Sequence, residues 1–266
     1  MPPMKPLTTA LDPKTISSHS PGLAQVLLLE IVAETGSTNS DLLSRCATLT
    51  GPLMLAAEVQ TAGRGRAGRS WLSEAGASLT FSVAWPFSQA PQALLGLPLA
   101  IGVALAQALG ALDIAVELKW PNDVLKNGKK LAGVLVETAT HHQQTWAVIG
   151  VGLNLLMPAE LERQIGHPVA DATWLAQMDR NKILAVLLEH LVRNLQIFAA
   201  SGLASFVEPW NALHAYAGQR VQILDQGKIL QQGIALGVNQ QGCLLLQDES
   251  GVISPVMVGD VSLRIG

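Results

Sequence analysis

The chain has 266 residues, of which 49% are apolar and only 14% charged; an average soluble protein carries roughly 25% charged residues, so a disordered or solvating role is excluded for most of it. Its 17 basic and 20 acidic residues leave a net charge of −3, a balance that asks for neither nucleic acid nor an anionic surface. Two distant cysteines, Cys46 and Cys243, and six histidines without ligand spacing exclude a disulfide framework and zinc chemistry, and fit a reducing, cytoplasmic setting.

Residues 1–22 are rich in Pro, Ser and Thr and read as a loose tail, too short for a helix-turn-helix module. The apolar run Val26–Val32 is a strand candidate; the polar turn 34–40 and a short helical pattern through Leu42, Leu43 and Cys46 follow it. Further strands are expected at Leu53–Gln60, Leu79–Trp85 and Ala115–Trp120. No charge lies between Glu74 and Asp113, and Ala93–Leu112 is nearly long enough to cross a bilayer. Pro98, Gln107 and the lack of a flanking Lys/Arg cluster make it a buried helix, with no membrane partner expected.

Asn127-Gly128 signals a hairpin, because a type I′ turn needs positive φ at both central positions. Returning strands are expected at Lys130–Glu137 and Thr145–Val151. A strong amphipathic helix starts at Asp179, an N-cap, and aligns Leu184, Leu187, Leu188, Leu191, Leu195 and Phe198 before Gly202 stops it. Beyond residue 217 short alternating strands are punctuated by turn residues, the pattern of a small β-barrel. The expected organisation is a tail over 1–22, a main domain over 23–216 and a small domain over 217–266.

Four segments carry chemistry. Gln60–Trp71 interleaves Gly63, Gly65 and Gly68 with Arg64, Arg66 and Arg69, so exposed backbone N–H groups and planar guanidinium forks make an anion cradle. It matches neither a P-loop nor a dinucleotide fingerprint; a flexible basic loop of the RNA-coating kind is the bland alternative. Lys119-Trp120-Pro121-Asn122-Asp123 precedes the hairpin that presents Lys130. Its plain reading is a core Trp, two turn-capping residues and a solvated lysine. Ser37-Thr38-Asn39 fits an N-cap and equally a polar headgroup site such as one for a urea or carboxylate. Gly150-Val-Gly-Leu-Asn154 offers glycines where a ligand can approach a strand end.

These segments, in this order and spacing, resemble biotin protein ligases from about residue 25 onward: Gly63-Arg-Gly-Arg-Ala-Gly-Arg69 with Trp71, Lys119-Trp-Pro-Asn-Asp123, Lys130-Leu-Ala-Gly133, and the closing Gly259-Asp-Val-Ser-Leu-Arg264. The resemblance implies an α+β fold, a mixed sheet flanked by helices like that of class II aminoacyl-tRNA synthetases, with a small C-terminal SH3-like β-barrel. It implies an ATP-dependent ligase that makes biotinyl-5′-AMP and transfers biotin to a lysine of a biotin carboxyl carrier protein domain. Biotin, ATP and Mg²⁺ are the implied small molecules, and the family pattern leaves room for a homodimer.

By the same resemblance, Ser37, Thr38, Asn39, Gln60 and Gly63 hold biotin, with Trp120, Gly133, Leu135 and Gly152 shaping its pocket. Arg64 and Arg66 grip carboxylate and phosphate, and Lys130, with Arg66 and Lys119, supplies the catalytic charge. Arg69, Trp71, Asn122, Asp123, Asn154 and Arg264 face the adenylate, Asp123 being the candidate Mg²⁺ ligand; the region 168–177 should contribute to the nucleotide site. The 60s loop is expected to be mobile when empty and to close over the adenylate. Lipoate ligases and octanoyl transferases are the nearest rivals. A nucleic-acid-binding repressor is disfavoured by the net charge and the short tail, which point to the monofunctional type.

Overall fold

A computed structural model of the chain describes residues 9–141, 143–165, 169–225, 227–257 and 261–266. Pro168, Gly259 and Asp260, which entered the sequence expectations, lie outside the described residues, as do residues 1–8. In chain order the elements are α1 (Pro13–His19), β1 (Leu28–Thr35), α2 (Thr38–Arg45), β2 (Leu53–Gln60), β3 (Ser78–Phe87), α3 (Leu97–Gly110), β4 (Glu117–Lys119), β5 (Asp123–Lys126), β6 (Lys129–His141), β7 (Gln144–Asn154), α4 (Ala159–Ile165), α5 (Arg180–Ser201), α6 (Ala204–Ala212), β8 (Arg220–Asp225), β9 (Lys228–Val238), β10 (Leu244–Gln247), β11 (Ile253–Val256) and β12 (Val261–Ile265).

The first seven strands form one mixed sheet in the order β1-β2-β3-β7-β6-β5-β4. Only β1 and β2 run parallel, joined through α2; the remaining neighbours are antiparallel. Parallel strands need such a crossover, whereas β5 and β6 need only the two-residue turn at Asn127 (φ 52°) and Gly128 (φ 72°). One sheet face packs on α3 and α5. The face of α3 toward every neighbour is apolar, and eleven of its residues are buried, as a helix without a polar side must be. Both α3 with its lead-in and α5 are long and apolar enough to cross a membrane, yet α3 and α5 pack on each other within the main core. The helix α5 begins at Asp179, whose carboxylate accepts from Asn181 N, and ends at Gly202 (φ 62°), as its sequence anticipates.

The opposite sheet face lies under α2, where Leu42, Cys46, Leu53, Leu55, Ala84, Trp146 and Val148 form a smaller core. The C-terminal strands make a separate antiparallel sheet, β11-β10-β9-β8-β12. Its apolar side, with Val221, Ile223, Ala235 and Leu244, is continuous with the main core. Trp120, fully buried, donates its indole N–H to Gly242 O at 3.1 Å, and Asn211 exchanges two hydrogen bonds with the backbone of Val238.

The N-terminal segment departs from the expected loose tail. Asp12 caps α1 by accepting from Thr15 N at 2.7 Å, and Ile16 is fully buried. Leu11 N donates to Glu58 and Asp12 N to Asn181, which pins the segment to β2 and the start of α5. A polar composition hid this docking because one buried Ile and a handful of backbone hydrogen bonds suffice to hold seven helical residues.

Candidate functional site

In a strand, alternate residues share a face. Register places Thr80 and Ser82 of β3 beside Gly152 and Gly150 of β7, and these beside Gly133 and Leu135 of β6, all on the α2 side. Three glycines in adjoining positions hollow this face. A cleft, part of it open to solvent, occupies the hollow. Its walls are the start of α2 and the loop from Gln60 to Trp71.

The inner wall is neutral and densely hydrogen-bonded. Ser37 caps α2, its Oγ accepting from Ser40 N. Thr38 N and Thr38 Oγ1 both reach Gln60 Oε1, at 2.9 and 3.0 Å. Thr38 Oγ1 lies 2.7 Å from Ser82 Oγ, and Ser82 Oγ donates to Asn39 Oδ1 at 2.6 Å. A side chain at Gly150 would collide with the Asn39 amide, which explains the glycine.

The outer wall is cationic. Arg66 donates to Asn122 Oδ1 at 3.2 Å, and Asn122 in turn donates to Val134 O at 2.7 Å, so the guanidinium is tied to the sheet. Lys130 Nζ pairs with Asp123 at 2.6 Å and passes over Gly133, where a Cβ would stand only 3.0 Å from it. Behind it Lys119 approaches the same carboxylate at 3.9 Å. Burial depresses the Lys119 pKa; Asp123 opposes this, while Arg264, Lys130 and Arg69 add to the depression. Those charges therefore share one neighbourhood, which is short of negative charge and favours an anion.

Trp71 connects the two walls. Its indole lies on Gly152 and near Gly133, with Lys130 Nζ 5.8 Å from the ring centroid. The loop is held around it: Trp71 N donates to Gly63 O at 2.8 Å and Gly65 N to Arg69 O at 2.7 Å. Gly63 must be glycine because a Cβ there would strike the Trp71 carbonyl. The indole Nε1 is buried and has no hydrogen-bond partner among the described residues.

Of the expected residues, Ser37, Thr38, Asn39, Gln60, Arg64, Arg66, Trp71, Asn122, Lys130, Gly133, Leu135 and Gly152 line the cleft. Several others do not. Trp120 faces the core and the C-terminal sheet instead of the pocket, because the turn after β4 points it inward. Asn154 donates to Ala170 O at 3.2 Å and thereby anchors the segment after residue 168. Gly63 shapes the loop from behind, Arg69 lies exposed at its tip, and Lys119 and Arg264 reach the site through their charge.

Asp123, the candidate Mg²⁺ ligand, stands between two lysines. Its carboxylate is engaged by Lys130 and Lys119, and no group of three or more His, Cys, Asp or Glu side chains able to hold a metal occurs among the described residues. The segment 169–178 packs beside β5 and β6, where Ala170 N donates to Lys130 O at 2.8 Å and Lys126 reaches Asp171 O, but none of its residues lines the cleft. Gly150 falls within the 150–154 segment that the sequence singles out, but sequence reasoning missed Ser82 and Thr80. Their strand phase, shared with Gly152 and Gly133, was the available signal.

Comparison with known proteins gives one consistent answer. Residues 31–154 match the biotin/lipoate A/B protein ligase family and residues 216–264 the biotin protein ligase C-terminal domain. The chain is 40% identical over 248 residues to a biotin–acetyl-CoA-carboxylase ligase of Mycobacterium tuberculosis, covering 88% of each chain. It is 38% identical over 236 residues to the bifunctional ligase/repressor BirA of Escherichia coli, covering 86% of this chain and 71% of that one. The solved biotin protein ligase of Aquifex aeolicus in complex with biotin and ATP superposes with a TM-score of 0.75 at 30% identity, covering 90% of this chain and 99% of that one.

Proposed function

The chain belongs to the biotin protein ligase family, and from that premise we infer that it is an ATP-dependent biotin ligase acting on a carboxylase. Biotin's carboxylate attacks the α-phosphorus of ATP, pyrophosphate leaves, and biotinyl-5′-AMP forms. A neutral lysine amine of a biotin carboxyl carrier domain then attacks the mixed-anhydride carbonyl; AMP leaves and an amide remains.

The observation that carries this reading is the two-ended polarity of the cleft. Biotin has a neutral cyclic urea at one end and a carboxylate at the other. The Thr38, Ser82 and Gln60 wall offers paired neutral groups for the urea, and Arg66 and Lys130 stand where the carboxylate and the α-phosphate would meet. Lys130 stabilises the charge that develops on phosphoryl oxygens, and later on the carbonyl oxygen, because its ammonium is already in place at low reorganisation cost. Arg64 moors the loop beside the biotin end. Trp71 rests on the glycines that the ligand needs, so we propose that it swings off the Gly133–Gly152 floor and closes on the nucleotide side with the loop. Closure keeps water from the anhydride.

The segment 169–178 lies next to Lys130 and is our candidate nucleotide border, with Asn154 acting through it. Since Asp123 is committed to two lysines, Mg²⁺ is expected to arrive on the phosphates of ATP. Both cysteines are free and buried, which suits a cytoplasmic enzyme. A ligase without repressor activity is favoured by the net charge of −3 and by basic side chains gathered at the cleft. Incubation with ATP, biotin and a carboxyl carrier domain should add one biotinyl group to a single carrier lysine, read by intact mass. Modification with lipoate or octanoate in place of biotin would reverse the assignment.

A further inference from the structure

Glu137 belongs to none of the segments that pointed to the cleft, yet it stands in phase with Gly133 and Leu135 on β6 and so faces α2. Its side chain is 24% exposed. One carboxylate oxygen pairs with Arg64 Nη2, and the other accepts from Asn39 Nδ2 at 3.0 Å. Arg64 Nη1 also donates to Ser40 Oγ at 2.9 Å, so the guanidinium bridges the strand and the first turn of α2.

A carboxylate only accepts, and this has a directional consequence. Asn39 must turn its amide N–H₂ toward Glu137, also reaching Leu135 O at 3.5 Å. Its Oδ1 is then the acceptor for Ser82, which uses the single Ser82 hydroxyl proton. Thr38, 2.7 Å from Ser82, directs its own proton to Ser82 Oγ or to Gln60 Oε1. The Thr38 hydroxyl thus shows lone pairs to the cleft, and the wall meets an N–H donor as an acceptor.

We propose that Glu137 is the positioning residue of the cleft: its carboxylate sets the donor–acceptor direction of the Thr38–Ser82–Asn39 chain and moors Arg64, so that the wall is ready for the urea N–H of biotin before the ligand arrives. The proposal rests on the reading of the cleft as a biotin site. Preorganisation of this kind acts on binding and leaves the chemistry of phosphoryl transfer to Lys130 and Arg66.

The test is biotin-dependent exchange of pyrophosphate into ATP by the whole protein and by Glu137→Gln and Glu137→Asp, with melting temperatures measured in parallel. Glutamine keeps the size but offers one acceptor where two donors converge. Its KM for biotin should rise by about tenfold or more, while kcat and the KM for ATP stay within about threefold. Aspartate retains both acceptors, set back by one methylene, and should recover part of the affinity. A purely structural role would lower the melting temperature and the active fraction without this split. A biotin KM for Glu137→Gln within about twofold of the parent, or equal rises for biotin and ATP, would overturn the proposal. If Glu137→Gln does not fold, an unchanged biotin KM in Glu137→Asp overturns it and a rise of about threefold supports it. Absence of biotin-dependent exchange in the parent protein overturns the biotin reading itself, so the two failures are distinguishable.

Discussion

The two faces of the large sheet are made by the same strands and do opposite things. Toward α3 and α5, β3 and β7 present Leu79, Phe81, Val83, Ile149, Val151 and Leu153, none more than 3% exposed. Toward α2 the intervening positions are Thr80, Ser82, Gly150 and Gly152, which leave a hollow edged by hydroxyls. A period of two residues therefore separates the side chains that hold the sheet in the fold from those that shape its ligand. The dry face supplies the packing that the hollow face gives up, and substitutions one position apart should differ in kind.

The largest effect on stability is expected on the dry face. Leu153→Ala removes a buried side chain and leaves a cavity, which should cost about 2–5 kcal/mol in denaturant unfolding, with the KM for biotin unchanged. A shift of the biotin KM without loss of stability would erase the distinction between the faces. On the hollow face, Lys130→Ala should lower pyrophosphate exchange about a hundredfold, or about 3 kcal/mol, and hardly move the melting temperature. Near-normal turnover would remove Lys130 from the chemistry.

His214 is one of the buried polar side chains. It stacks on Trp210 with centroids 4.9 Å apart, and neither ring nitrogen has a hydrogen-bond partner among the described residues. Burial lowers its pKa from 6.5 to about 4. The unfolded chain takes up a proton below 6.5 that the folded chain refuses, so stability is full above that pH and falls as pH drops toward 4. Between about pH 7 and pH 5 the loss should be about 2 kcal/mol, and His214→Phe should abolish that part of the slope. An identical slope in the variant would place the titration elsewhere. Smaller still, Gly152→Ala puts a methyl where the Trp71 indole now lies. The biotin KM should rise about tenfold, about 1.4 kcal/mol, with stability nearly unaltered; an unchanged KM would mean that the glycine floor is not the ligand's seat.

Much of this was legible in the sequence because it is local. The Asp179 cap, the Gly202 stop and the Asn127-Gly128 turn each depend on neighbouring residues, and the structure shows them where they were expected. The Gly/Arg loop announced itself by residue type, whereas Lys130, a solvated lysine on its plain reading, was singled out by the family resemblance. Trp120 is buried in the core, as its plain reading has it and against the pocket role the resemblance implies, because the C-terminal sheet covers it. Glu137 and Ser82 acquire meaning only through register, when β6, β7 and β3 lie side by side. The docking of residues 9–20 depends on Glu58 and Asn181, 47 and 169 residues away from their partners, and no periodicity within the segment records it.

The central claim is that one cleft recognises biotin at its neutral end and joins it to AMP at its cationic end. Exchange of labelled pyrophosphate into ATP by the purified protein, with biotin, lipoate and octanoate supplied separately, tests it most directly. The account predicts exchange with biotin and none above background with the other two acids. Exchange driven by lipoate or octanoate, with biotin silent, would contradict it.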